Sequence, residues 1–240
     1  MLEDVSFLCL AVFAKFLGSL STMVKDLTIG KCTVKLLSDS DDSAMHWNFT
    51  DKRIQLESLS VASDALLEFL LRDESPVDFS HLKEAKTRNA EIHLLNKLSC
   101  LSPQLVIAVV TALDLESNKE PLKLPIVRKL DLSLLTMERG TMSLANLFQL
   151  ANPNLEVLNL TIPFDFVTSK TSGLEALALA LALSRQPKLK IVNVVVWALR
   201  NNWKFQNEPG IEQRWSALLG VLENNGVKLT MDTVHRRLVV

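Results

Sequence analysis

Pro153-Asn154-Leu155-Glu156-Val157-Leu158-Asn159-Leu160-Thr161, PNLEVLNLT in one-letter code, is laid out again as PKLKIVNVV at Pro187 to Val195, thirty-four residues further on. A third copy, PQLVIAVVT from Pro103, keeps the same pattern, Pro-x-Leu-x-x-Φ-x-Φ with Φ aliphatic. The Φ pairs are Leu158 and Leu160, Val192 and Val194, Ala108 and Val110. In an extended chain alternate side chains face opposite ways, so each Φ pair shares one face. Val157, Asn159 and Thr161 share the other.

Without the proline requirement the pattern recurs in VRKLDLS (Val127, Leu130, Leu132), LESLSV (Leu56, Leu59, Val61) and VKDLTI (Val24, Leu27, Ile29). LKEAKT from Leu82 is a degraded copy. First positions fall at 24, 56, 82, 105, 127, 155 and 189, with steps of 32, 26, 23, 22, 28 and 34 residues. A single such strand cannot bury its aliphatic face alone, but strands paired side by side bury theirs in one shared column. The expectation is neighbouring parallel strands in chain order from Val24, Leu56, Leu105, Val127, Leu155 and Leu189.

Helical stretches lie between the strands. SGLEALALALAL from Ser172 opens with a capping-box pattern, Ser172 followed by Glu175. Leucine and alanine cover nearly its whole circumference, which predicts that it is sandwiched between neighbouring repeats and does not lie open to water. IEQRWSALLGVLENNG carries one stripe, Ile211, Trp215, Leu218, Leu219 and Leu222, and ends at Gly226. SDALLEFLLRD near Asp64 is a third helix, and VSFLCLAVFAKFLGSL from Val5 reads as a buried one. The acidic Glu3 and Asp4 stand where a signal sequence needs positive charge, and no apolar run reaches the ~18–20 residues of a bilayer span.

Strand and helix in alternation predict an α/β fold. A doubly wound sheet is covered on both faces, and the polar pairs Asp131 and Ser133, Asn159 and Thr161, Ser58 and Ser60 speak against that. The expected architecture is a curved parallel sheet with helices on its convex side, a leucine-rich-repeat-like solenoid of divergent repeats. Residues 1–240 form one such domain, with a divergent C-terminal segment from about 197 to 240.

Twenty-six basic against twenty-seven acidic side chains leave a net charge of −1, with no Tyr and no basic run interleaved with aromatics. That composition lacks the field and stacking platform of a nucleic-acid binder. Cys9, Cys32 and Cys100 are an odd number without a close pair; they read as small buried groups in a reducing compartment, cytoplasmic or nuclear. The sequons at Asn48 and Asn159 do not alter that reading.

Catalytic and cofactor chemistry is assigned to no residue. His46, His81, His93 and His235 lack zinc-ligand spacing with cysteine, and His81 reads as a surface pair with Glu84. The acidic run Asp39 to Asp42 lacks the glycine and glutamate of a calcium loop. GKCT at Gly30 lacks the upstream glycine of a phosphate loop and has Cys32 in place of its hydroxyl.

The phrases NPNLEVLNLTI and RQPKLKIVNVVV, with the Leu-x-x-Leu-x-Leu spacing of Leu155-Leu158-Leu160 and Val127-Leu130-Leu132, resemble leucine-rich-repeat proteins. In particular they are similar to the repeat region of F-box and F-box-like proteins of mushroom-forming (basidiomycete) fungi, over most of Met1 to Val196. The helical F-box expected ahead of such repeats is absent here, so the resemblance implies only the substrate-recognition part of a ubiquitin-ligase adaptor. The function read from the sequence is a non-enzymatic protein–protein recognition scaffold that takes a protein or peptide partner, without nucleic acid, membrane or cofactor. Its contacts are expected on the outward, concave face: Lys129, Asp131 and Ser133; Val157, Asn159 and Thr161; Ile191, Asn193 and Val195; and an apolar patch of Ile107 and Val109. The alternative is an α/β enzyme with its site at the strand ends.

Overall fold

The computed structural model of the chain describes residues 6–7, 10–20, 23–30, 33–34, 53–113, 120–134, 144–149, 152–163, 172–199 and 211–236. The elements run β1 (Ser6–Phe7), α1 (Leu10–Ser19), β2 (Asp26–Ile29), β3 (Thr33–Val34), β4 (Ile54–Gln55), β5 (Ser58–Val61), α2 (Asp64–Leu70), β6 (Val77–Asp78) and β7 (Glu84–Arg88). They continue with α3 (Ile92–Leu101), β8 (Ile107–Leu113), β9 (Lys129–Leu134), α4 (Leu144–Leu147), β10 (Val157–Pro163), α5 (Ser172–Leu183), β11 (Ile191–Leu199), α6 (Ile211–Leu219) and β12 (Lys228–Arg236).

From Leu82 onward the copies of the repeated phrase enter their strands through the same turn, a backbone N–H donating to the carbonyl three residues earlier, whereas the Leu56 N–H donates to the Asp78 carbonyl. Leu105 donates to Ser102, Val127 to Leu124, Leu155 to Asn152 and Leu189 to Gln186, at 3.0–3.3 Å. Leu82 donates to Phe79 and Gly226 to Glu223 in the same way. The degraded copy at Leu82 therefore supplies a strand, β7, between those from Leu56 and Leu105. The C-terminal segment supplies another, β12, with Gly226 in the place of the first leucine at φ 78°.

Eight strands form one parallel sheet in the order β2-β5-β7-β8-β9-β10-β11-β12, which is chain order. Two short parallel pairs, β1 with β3 and β4 with β6, stand apart from it. The register stacks like on like: Leu27, Leu59, Ala85, Ala108, Leu130, Leu158, Val192 and Leu229 form one row across the sheet. Apart from Leu229 at the edge, every member is buried. Right-handed crossovers that always step in one direction place their helices on one face. α5 packs between α4 and α6, and α2 packs on α3 and β5. The Phe13 and Phe69 rings, with centroids 5.7 Å apart, join α1 to α2. Burying one strand face and leaving the other half-exposed gives β9 its strict alternation, which β10 keeps up to Ile162.

Two expectations need correction. The sheet is not strongly curled, so its free face is open where a concave one was expected. Helices need ~8–10 Å each against ~4.8 Å per strand, and that mismatch is what bends an array. Here residues 120–128, the described part of the connection from β8 to β9, contain no helix, and α4 has only four residues, which relaxes the mismatch. Helix α5 is also not buried all round: Leu174, Leu177 and Leu181 are 73%, 38% and 51% exposed, because α4 and α6 cover its flanks and leave its outer side bare.

Candidate recognition groove on the open sheet face

All the outward candidates occupy the open face and are half-buried. Ile107, Lys129, Val157 and Ile191 lie in one row, and Val109, Asp131, Asn159 and Asn193 in the next. Ser133, Thr161 and Val195 make a third.

The second row is a hydrogen-bonded ladder. Thr230 Oγ1 donates to Asn193 Oδ1, Asn193 Nδ2 donates to Asn159 Oδ1 at 2.7 Å, and Asn159 Nδ2 donates to Asp131 Oδ1. Lys129 Nζ stands 3.4 Å from Asp131 Oδ2 and closes the end of the row. Lys129, Asp131, Asn159 and Asn193, expected as free contact groups, are thus largely occupied with one another. The third row differs: among the described residues the hydroxyls of Ser133 and Thr161 have no hydrogen-bond partner.

Above these rows a groove of about 600 Å³ opens along the carboxyl ends of β7 to β11, lined on its polar side by Arg88, Thr111, Asp131, Ser133, Asn159 and Thr161. Val109, Ala112 and Trp197 supply apolar wall. Its shape owes something to a bulge: Val110 pairs with Leu132 and Leu113 with Leu134, so β8 carries one extra residue. Ala112 takes up that residue at φ 58°, a left-handed conformation costing a side-chain-bearing residue about 1 kcal/mol or more. Thr111 Oγ1 donates to the Thr87 carbonyl at 3.3 Å beside it.

Arg88, Thr111 and Trp197 were not anticipated. Arg88 and Thr111 had a signal: each lies six residues after the first position of its copy, as do Ser133, Thr161 and Val195. Equal offset in a parallel array means the same row.

A second set of polar groups is hidden on the helix side. The residue before each proline of the repeated phrase is buried: Ser102, Asn152 and Gln186. Asn152 Oδ1 accepts the Leu124 N–H at 2.8 Å, and Gln186 Oε1 accepts the Asn152 N–H at 2.6 Å. Each bond ties one copy to the next. Asn96 acts similarly one step earlier, accepting Lys123 N–H at 2.7 Å and donating to the Pro121 carbonyl. The shorter Ser102 reaches no partner.

At the amino ends of the strands, exposed charges alternate. Glu57 is held between Lys25 at 2.5 Å and Lys83 at 2.7 Å, and Glu156 by Lys190 at 2.8 Å. The hydrogen bond from Lys25, then that from Lys83, holds the Glu57 carboxyl down at about 2. Burial pushes Asp64, at the start of α2, up to about 6, with the neighbouring Glu91 adding to the rise.

Two smaller readings change. Cys100 is exposed, not buried, while Cys9 and Cys32 lie outside the described residues. His81 meets Ser80 Oγ at 2.9 Å, and Glu84 pairs instead with Lys86 at 3.0 Å, because alternation along β7 puts residues 84 and 86 on one face. The acidic run from Asp39 and the sequon at Asn48 lie outside the described residues. Among the described residues no group of three or more His, Cys, Asp or Glu side chains is placed to hold a metal ion, and no helix is long and apolar enough to cross a membrane.

Comparison with protein-family models, curated proteins and solved structures finds no match.

Proposed function

We propose that the chain is a non-enzymatic recognition scaffold, a divergent leucine-rich-repeat-like solenoid that reads a protein or peptide partner with its open sheet face. The observation that supports the reading is the division of the strands: one face carries the buried aliphatic rows, and the other is half-buried and presents a groove above the hydroxyls of Ser133 and Thr161, which have no partner among the described residues. A near-neutral net charge supports a protein partner over nucleic acid, and the odd cysteine count supports a cytoplasmic or nuclear setting. The resemblance of the repeated phrases to fungal F-box-like proteins supports the substrate-reading part of a ubiquitin-ligase adaptor as its role. The groove's place at the carboxyl ends of parallel strands also favours a second reading, an α/β enzyme. Against it, the one carboxylate among the groove's described lining residues, Asp131, is already shared by Asn159 and Lys129.

The test is the triple variant Ser133→Lys, Thr161→Lys and Val195→Lys, chosen because no hydrogen bond of the ladder depends on these side chains. Affinity capture from native extract should lose its specific partners while circular dichroism and Tm remain those of the wild type. Retention of every specific partner by the folded variant would remove the open face from the binding function.

A further inference from the structure

The groove's charge and dimensions narrow the class of partner. Of the three cations on the outward face of β7 to β11, Lys86 is matched to Glu84 and Lys129 to Asp131. The third, Arg88, is exposed and lines the groove, and its side chain has neither an ion pair nor a hydrogen bond among the described residues. Asp131, the carboxylate among the groove's described lining residues, is offset by Lys129 and by the Asn159 amide, so among the described residues the uncompensated charge at the groove is that of Arg88. A guanidinium binds a carboxylate through paired, charge-assisted hydrogen bonds.

Distance supplies the rest. From Arg88 on β7 to Trp197 on β11 is four strand spacings, roughly 19 Å at ~4.8 Å each. An extended chain advancing ~3.4 Å per residue crosses that span in about six residues. Along the way it passes over the hydroxyls of Ser133 and Thr161, which can donate to or accept from backbone amide groups. Trp197 at the far end offers apolar ring area. Building on the recognition reading above, we propose that the groove takes an extended peptide of about six residues lying across the strands, with an acidic side chain on Arg88 and an apolar one against Trp197.

The probe is a positional-scanning set of fluorescein-labelled hexapeptide pools, each with one fixed residue, measured by fluorescence anisotropy against the whole chain. Pools with Asp or Glu fixed near one end should bind about tenfold more tightly than pools with Lys there, the worth of one charge-assisted pair. Arg88→Gln should erase that preference and Arg88→Glu should invert it towards Lys, an outcome that damage to the fold cannot produce. Preference for acid that survives Arg88→Glu overturns the assignment. Thr161→Lys separates the two layers of the argument. Loss of binding in Thr161→Lys, together with acid preference persisting in Arg88→Glu, leaves the open-face reading standing and sinks the acidic partner. Binding untouched by Thr161→Lys, or no binding by any pool, overturns the groove itself.

Discussion

Two sets of polar side chains link neighbouring copies, one on the open face of the strands and one in the buried turns that lead into them, and they perform different work. On the open side Asp131, Asn159, Asn193 and Thr230 are bonded side chain to side chain. They are half-buried, so water can take over any bond that is lost. On the helix side Asn152 and Gln186 are bonded to the backbone of the preceding copy, and both are buried. A lost acceptor there leaves a buried N–H with nothing to replace it, at a cost of about 1–3 kcal/mol, against about 0.5–1.5 kcal/mol for an ordinary net hydrogen bond. The same amide chemistry is therefore structural scaffolding on one side and adjustable surface on the other.

The largest expected effect sets the ceiling for the helix side. Leu158→Asp places an unpaired carboxylate in the fully buried row and should cost about 4 kcal/mol or more in urea denaturation. A loss below about 1 kcal/mol would mean that this face is not the core.

Asn159→Asp sharpens the other side. Read from alternation alone, it is a surface change worth ~0.5 kcal/mol. In the ladder it removes the donor to Asp131 and sets two carboxylates together, which should raise the loss to about 1 kcal/mol. Adding Asp131→Asn should recover most of that loss. A double-mutant cycle with no coupling would show that the row is only a set of independent side chains.

Titration probes a smaller contrast, between Glu57 and Asp64. The Glu57 carboxyl lies below its ordinary value of 4.5, so its contribution is complete above that pH and is lost as pH falls towards about 2. Asp64 has the opposite sign. Raised from 3.8 to about 6, it leaves stability intact below the lower value and reduces it as pH climbs through the upper one. In Tm measured against pH, Glu57→Gln should flatten the acid limb, and Asp64→Asn should remove a decline between about pH 4 and 6. Unchanged profiles would show that neither site governs the pH response.

The strands were legible because the aliphatic pair repeats with period two at a fixed distance from a leading leucine, a pattern that burial on one face requires. Even the weak copy at Leu82 places Ala85 and Thr87 in the buried rows. β12 was harder to see, since glycine stands where the leucine belongs and the strand carries Lys228, Thr230 and Asp232. The ladder was partly legible: Asp131, Asn159 and Asn193 share one offset within their copies, and equal offset means stacking. Reading each strand separately made them look free. Asn152 and Gln186 carried no such signal, because a polar residue before proline reads as a loop. Their role depends on which backbone donor of the previous copy comes within reach, and strand alternation contains no information about that. Trp197 reached the groove through the length of β11, a strand whose end the repeated phrase does not mark.

The division between a stapled face and an open one is tested most directly by matched substitutions on the two sides, Gln186→Leu and Asn193→Leu, compared in equilibrium urea denaturation. Gln186→Leu orphans the buried Asn152 N–H and should lower stability by about 1–3 kcal/mol. Asn193→Leu breaks two bonds that water can replace and should cost less than about 1 kcal/mol. Equal losses, or a larger loss at Asn193, would contradict the account.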